Sequence, residues 1–392
     1  MQVFHRATGA PSPPGLASRN AGPATGARTG GELTEFNAPA VLARRGRGSV
    51  SNRGGRYEHE SREPVDDGWD GLASIEALRT EVTIEKPNSI ITRNDSPDIS
   101  FDRSINPYRG CEHGCVYCFA RPTHAYMGLS PGLDFETRLF VKEGAAALLE
   151  SELSARAYQP KTIAIGTNTD PYQPLERRHR VMRSVLEVLE RTSHPVGVVT
   201  KSHLVTRDID ILARMARRGL VKVALSVTTL DRNLARLMEP RASSPERRLD
   251  AIGQLAKAGI PASVMVAPII PAINDAEIET ILARARAAGA SEAGYVMLRL
   301  PLEVVDLFGE WLKQHYPDKH ARVMALVRDT RGGKDYDATW GKRMTGSGPY
   351  AWMIGRRFET ASARLGFNQT RLKLRTDLFT PPVRQQAQLA LF

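Results

Sequence analysis

Cys111, Cys115 and Cys118 fall inside the stretch RGCEHGCVYCFARPTH (109–124), and the chain's 392 residues contain no other cysteine. Their spacing is C-x3-C-x2-C. An odd, clustered count cannot build a disulfide framework and fits a reducing compartment, so a cytoplasmic protein is expected. Three thiols this close read as a metal-binding set rather than as buried structural thiols. Two metal chemistries suit them. With His113 or His124 as a fourth ligand they would form a tetrahedral Cys3His zinc site. Without a fourth they would hold an iron–sulfur cluster, which usually takes four cysteines, and one iron would keep an open position for a reactant.

The elements that must position this loop are visible in the hydrophobic pattern. KTIAIGT (161–167), VGVVTK (196–201), VKVALSVTT (221–229), PASVMVAP (261–268) and GYVMLRL (294–300) are short apolar runs rich in β-branched residues. Amphipathic stretches such as LERRHRVMRSVLEVLERT (175–192) and RDIDILARMARRG (207–219) lie between them. Apolar strands alternating with helices indicate buried parallel strands in βαβ units. With one more strand near SINPYRG, leading into the cysteine loop, the count is six. The expected fold is therefore α/β, a partial (β/α)6 barrel over residues 101–318. Its site belongs at the C-terminal ends of the strands, where the cysteine loop also falls.

Composition bounds the rest. Hydrophobic residues make up 41% and charged residues 25%, so the chain can bury a sizeable core. No apolar run approaches the roughly 20 residues of a membrane span, and the N-terminus has no apolar secretory core. Residues 1–56 carry eight Arg against two Glu, and 319–375 carry thirteen Lys or Arg against four acids, which leaves 57–318 at −4 of the total +11. Two basic ends suit a polyanionic partner such as nucleic acid. Residues 1–56 are expected to form a disordered Arg/Gly/Pro-rich arm. Its ARRGRGSVSNRGGRYE segment (43–58) suits either loose single-strand contact or docking on its own domain. Residues 57–100 are expected to pack on the barrel as an extension. The basic 319–392 segment would close the open side or present cations to a phosphate backbone.

A C-x3-C-x2-C loop after the first strand of a partial barrel, with Tyr117 just before the last cysteine, resembles the radical S-adenosylmethionine superfamily. Residues 100–300 are most similar to the branch containing spore photoproduct lyase, a DNA-repair enzyme. The resemblance implies a [4Fe-4S] cluster on Cys111, Cys115 and Cys118 that binds S-adenosylmethionine and cleaves it by one-electron reduction. The resulting 5′-deoxyadenosyl radical then abstracts hydrogen from a substrate. A flavodoxin- or ferredoxin-type electron donor is implied by analogy. Within GTNTDPYQPLE, Thr169 and Asp170 would face the cofactor's amino end; Lys201 would meet its carboxylate and Ser226 its ribose. Glu239, Arg241 and Arg248 follow the fourth strand, where the family places acids or arginines on ribose or carboxylate. Ile269 and Ile270 would flank the adenine, and Asn274 or Asp275 would cap the next helix. The residues agree among themselves, because a zwitterionic cofactor needs a cation, acceptors and hydroxyls converging on one rim.

There is one departure from the lyase. Its reaction depends on a further cysteine at the end of the second strand, which returns hydrogen to the product radical. This chain has Thr167 there, so either the reaction consumes the deoxyadenosyl radical without a protein thiol or hydrogen comes from elsewhere, with Tyr117 or Tyr172 as candidates. The sequence therefore indicates a radical enzyme of unknown substrate, with nucleic acid as the substrate class. The rival reading is a non-catalytic nucleic-acid-binding protein with a structural zinc site.

Overall fold

Five of the expected strands, and the short one before the cysteine loop, line up in a single parallel array. They are β1 (Arg103–Ile105), β2 (Ile163–Ile165), β3 (Val196–Thr200), β4 (Val221–Ser226), β5 (Ala262–Ile269) and β6 (Glu292–Met297). They pair in chain order, and strand Ile91–Arg93 adds antiparallel to the free edge of β1. The structure is a computed structural model and describes residues 46–57 and 79–382. Most of the expected basic arm, residues 1–45, lies outside the described residues, as do 58–78 of the extension and 383–392 of the C-terminal segment.

Helices α1 (Ala145–Leu153), α2 (Val181–Arg191), α3 (Ile209–Arg217), α4 (Pro245–Lys257), α5 (Ile278–Ala287) and α6 (Val304–His315) alternate with the strands. Strand residues of one parity, such as Val196, Val198, Val221, Val223 and Leu225, join the helices in the main apolar core. Residues of the other parity face the barrel interior, because side chains alternate across a strand. Several of those positions are small or polar: Ala164 pairs with Gly197, which pairs in turn with Lys222, and Ala224 pairs with Ser263. A Cβ added at Gly197 would meet nothing within 4 Å, so this interior keeps open space. Lower in the interior, Lys222 and Glu292 pair at 3.3 Å.

The helix expected over 175–192 is broken at Arg180, which sits in the left-handed region at φ 52° between Glu176–His179 and α2. The buried Glu176 carboxylate explains the break. It accepts the Met182 N–H at 3.0 Å and the Arg207 guanidinium at 2.6 Å, and it also bonds the Tyr108 hydroxyl. It therefore serves as the acceptor that starts α2.

After α6 come α7 (Pro317–Asp329) and α8 (Gly348–Arg364), with a crossing segment between them. Arg331 is fully buried and donates to the carbonyls of Lys342, Arg343, Met297 and Leu298. Next along the segment, Arg343 pairs with Asp98 through two nitrogens, and the Met297 N–H donates to the Met344 carbonyl at 2.8 Å. Asp98 precedes β1 and Met297 ends β6, so consecutive residues of this segment join the two edges of the incomplete barrel.

Two stability outcomes follow. Trp311 of α6 is fully buried, and its Nε1–H donates to the Leu237 carbonyl at 3.0 Å. Trp311→Ala should cost about 3–5 kcal/mol, read as a lowered denaturant midpoint. His194 is also fully buried and neutral: Nδ1–H donates to the Pro195 carbonyl at 3.0 Å, and Nε2 accepts from Tyr158 Oη at 2.8 Å. Burial lowers its pKa from 6.5 to about 4. The unfolded chain then binds the extra proton between those values, so stability is full above pH 6.5 and falls as pH drops toward 4. The loss is about 3 kcal/mol for this one group. His194→Gln should flatten the fall when midpoints are measured across that range.

Candidate metal and cofactor site

The loop that carries the cysteines is shaped by its own backbone and by one arginine. Strand Tyr108–Arg109 pairs with Arg138–Val141 and delivers the chain to Gly110, which takes φ 72°. A Cβ there would lie 2.4 Å from Leu139 Cδ2, so the turn into Cys111 needs glycine. Cys111 N–H donates to Phe135 O at 2.9 Å, Gly114 N–H to Cys111 O at 3.2 Å, and Cys118 N–H to Cys115 O at 3.1 Å. Arg121 is fully buried and donates to the carbonyls of Cys115, Gly114, Pro131 and Gly132, all at 2.8–3.1 Å, and to the Glu136 carboxylate. Gln173, fully buried after β2, accepts the Glu112 N–H at 2.8 Å and donates to Gly110 O at 3.2 Å.

Cys111 and Cys115 are buried and Cys118 is half-buried. Burial pushes the Cys111 thiol well up, helped by nearby Asp170. It also pushes Cys115 up to about 12, although Lys201 opposes it. Thiolates at such a place need a strong cation, which a soft metal centre provides. Among the described residues no group of three or more His, Cys, Asp or Glu is arranged to hold a single metal ion. Thiolates of a cluster each bind a different iron and so stand further apart. Each of the two histidines weighed as zinc ligands has one ring nitrogen bonded to the protein, and His124 Nδ1 is buried without a hydrogen-bond partner. His113 Nδ1 lies 3.3 Å from Asp170, and His124 Nε2–H donates to the Arg138 carbonyl at 3.0 Å. Three thiols in one loop, with no fourth cysteine in the chain, fit a cluster that keeps one iron open.

Around the loop, the expected rim residues do come together, though not all as free ligand groups. Lys201 follows β3 and projects toward Cys115, its Nζ 5.7 Å from the Tyr117 ring centroid. It makes no ion pair among the described residues. Burial alone would lower its pKa, but Cys115, Glu239 and Asp170 outweigh this and raise it, so the ammonium is retained. Asp170 is not a free acceptor. Its oxygens take the Thr200 hydroxyl at 2.7 Å, the N–H groups of Lys201 at 2.7 Å and Tyr172 at 2.9 Å, and His113. Burial would raise its pKa, yet those partners hold it at about 2. Thr169 is buried and donates to Tyr108 O at 3.0 Å.

On the opposite side, Tyr117 and Thr228 donate to Glu239, which also pairs with Arg248. Arg248 continues to Ser243 O at 2.7 Å and to Ser226 O at 3.0 Å, and Ser226 Oγ donates to Ala267 O at 2.8 Å. Burial of Glu239 is outweighed by Arg248 and Lys201, which hold its pKa at about 2. Arg241 instead pairs with Glu112 at 3.0 Å behind the loop. Ile269 belongs to the main core, whereas Ile270 packs with Cys115, Val116 and Tyr117. Asn274 makes no helix cap: its side chain accepts the Ile270 N–H and donates to the carbonyls of Thr228 and Pro268. Thr167 lies half-buried just past β2. Arg121, Gln173 and Asn274 carry much of this geometry through side-chain bonds to several backbone groups each, and their place in the sequence pattern gives no signal of that.

Residues 105–285 match the Radical SAM superfamily. An uncharacterised protein of Mycobacterium tuberculosis (strain H37Rv) is 35% identical over 262 residues, which are 66% of this chain and 75% of that protein. An uncharacterised protein of Methanocaldococcus jannaschii is 27% identical over 216 residues, 55% of this chain and 77% of its own. Among solved structures, spore photoproduct lyase complexed with dinucleoside spore photoproduct aligns with TM-score 0.54 at 18% identity, covering 73% of this chain and 80% of the lyase. A mutant of the same lyase aligns with TM-score 0.53 at 16% identity, over 80% and 87% of the two chains. At such identity the structural likeness speaks for the fold. With the sequence match and the three-cysteine loop at the mouth of a parallel partial barrel, the chain belongs to the radical SAM superfamily.

Proposed function

We propose that Cys111, Cys115 and Cys118 hold a [4Fe-4S] cluster and that the mouth of the barrel binds S-adenosylmethionine beside it. When bound, the cluster supplies the electron that cleaves S-adenosylmethionine to methionine and a 5′-deoxyadenosyl radical. The observation that carries this reading is an ammonium, Lys201, without an ion pair among the described residues and projecting toward Cys115. A cation held so close to soft thiol ligands suits the carboxylate of an amino-acid cofactor, through a charge-assisted bond. Asp170 fixes that lysine by taking its backbone N–H and also ties His113 of the cysteine loop to the same point. Its role is to position the two rather than to receive the cofactor's ammonium.

Ser226 Oγ donates to a backbone carbonyl and keeps lone pairs free to accept a ribose hydroxyl. Tyr117, Glu239 and Arg248 form the charged wall next to Cys115, and Thr169 anchors the rim to Tyr108. Ile270 rather than Ile269 is the apolar side chain that reaches this wall. The electron would come from a small flavodoxin- or ferredoxin-type protein. Nucleic acid is the substrate class this reading favours, supported by the basic 319–375 segment. Arg299 at the mouth adds support: it lies against Phe119 and Tyr336 and forms no ion pair among the described residues.

Anaerobic reconstitution tests the cluster. Wild-type protein should bind iron and sulfide in equal amounts and form 5′-deoxyadenosine when reduced with S-adenosylmethionine. Each Cys→Ala variant should lose both. Zinc without sulfide would favour the structural zinc site, and a single variant with full cluster and turnover would refute the ligand set. Lys201→Ala should keep its iron but bind S-adenosylmethionine more weakly by roughly 1.5–3 kcal/mol in a titration.

The substrate is not expected to be the lyase's. All three thiols lie in one loop, which leaves Thr167 where a hydrogen-returning cysteine would stand, and a hydroxyl O–H is a poor hydrogen-atom donor. Incubated with dinucleoside spore photoproduct under reducing conditions, the enzyme should cleave S-adenosylmethionine without accumulating thymine dinucleotide. Multiple-turnover repair seen by chromatography would overturn this.

A further inference from the structure

Residues 46–57, GRGSVSNRGGRY, follow the docked one of the two courses weighed for this segment and run across the cysteine loop. Gly48 and Ser49 donate their N–H groups to the two oxygens of Glu136, at 3.0 and 2.8 Å. Glu136 is the buried counter-ion of Arg121, which holds the carbonyls of Gly114 and Cys115. At this crossing the two backbones touch. A Cβ added at Gly48 would stand 1.8 Å from Gly114 O and 3.3 Å from Val116 N, both backbone atoms of the loop. Farther on, Ser51 Oγ donates to Glu310 at 2.6 Å, Arg53 pairs with Glu310 at 2.7 Å, and Arg56 pairs with Glu303 at 2.8 Å. Arg56 also lies 4.9 Å from the ring centroids of both Tyr57 and Tyr126. The segment is thus anchored at one end on the loop's own salt bridge and at the other on α6.

We infer that residues 46–57 are a strap that holds the three-cysteine loop in its metal-receiving form, with Gly48 and Glu136 as positioning residues. This rests on the reading of the three thiols as cluster ligands. The strap supplies two of the donors that hold the Glu136 carboxylate in place, so Arg121 stays directed at the loop carbonyls rather than being drawn elsewhere. Side chains on Gly48 would force the strap off, because neither backbone atom it meets can swing away.

The test uses the full-length chain with Gly48→Ala, and separately with Arg53→Ala and Arg56→Ala combined. Metal-free protein is treated with iodoacetamide, and each cysteine is followed by mass spectrometry; reconstituted protein is challenged with a chelator. Gly48→Ala should alkylate Cys111 and Cys115 about tenfold faster, as expected when a local opening becomes easier, and should lose iron correspondingly faster. Cys118, already half-buried, should change least, and the global melting transition should stay in place. The double arginine variant should move both readouts the same way by a smaller factor. Parental alkylation and iron loss in Gly48→Ala would overturn the strap. If that variant does not fold, unchanged readouts in the double arginine variant overturn it instead. Retention of iron by the Cys→Ala variants would refute the cluster assignment alone, since alkylation of the metal-free protein judges the strap without any metal.

Discussion

The site depends on one buried cation. Arg121 has no solvent contact and gives its donors to four backbone carbonyls, two of them in the cysteine loop, and to one carboxylate. A loop that must present three side chains outward to one ligand cannot satisfy its carbonyls through a regular ladder, and buried carbonyls left unpaired are costly. A planar guanidinium with five donors meets that need from a single point. Its own charge then requires Glu136, and removing either partner would leave an uncompensated ion in the interior. Loop shape, salt bridge and the crossing strap are therefore one physical unit.

The barrel supplies the complementary half. Its apolar residues point outward to the helices, so the interior positions Ala164, Gly197 and Ala224 can stay small without loss of core. Stability is held on the outside of the sheet, and space for a ligand on the inside. Because the sheet has only six parallel strands, two edges remain to be managed, and edges left bare invite mispairing. Strand Ile91–Arg93 covers β1, while the crossing segment bonds to Met297 and pairs with Asp98. That same segment brings Tyr336 to Arg299 and so to Phe119, next to Cys118. The basic C-terminal region thus helps close the barrel, and part of it lines the approach to the cysteines.

Much of this was legible from sequence where the signal is local. Strands such as VGVVT and VKVALS declare themselves by β-branched composition, and the cysteine spacing marks the loop that the radical SAM superfamily match includes. What failed to show was what depends on partners distant in the chain. The run 175–192 has unbroken helical periodicity, yet the Glu176 carboxylate stops the helix at Arg180 by capping α2 from a neighbouring turn. Asp170 has the right type and place for a cofactor acceptor, but four protein donors already fill its oxygens. Asn274 looks like a helix cap and instead braces the ends of β4 and β5. The Arg-Gly composition of 46–57 leaves loose strand contact and docking on its own domain equally open, and its glycines allow backbone to lie on backbone. Composition cannot separate a glycine that loosens a chain from one that permits close approach.

The charges at the mouth are paired so that one ammonium is left over beside the thiols. Glu239 is satisfied by Arg248, Tyr117 and Thr228, and Asp170 by His113, Thr200 and backbone N–H groups. Both acids therefore remain ionised, and neither is available to neutralise Lys201 fully. Burial disfavours bare thiolates at Cys111 and Cys115, while Lys201 opposes that penalty at Cys115. A polar wall this closely paired is expensive to build where simple packing would serve. Its net effect is to fix one ammonium and three thiols on a common mouth before any ligand arrives, so that binding need not reorganise them. Preorganised charge of that kind is what a radical SAM enzyme requires of its protein, because the cofactors carry the chemistry and the chain supplies their placement.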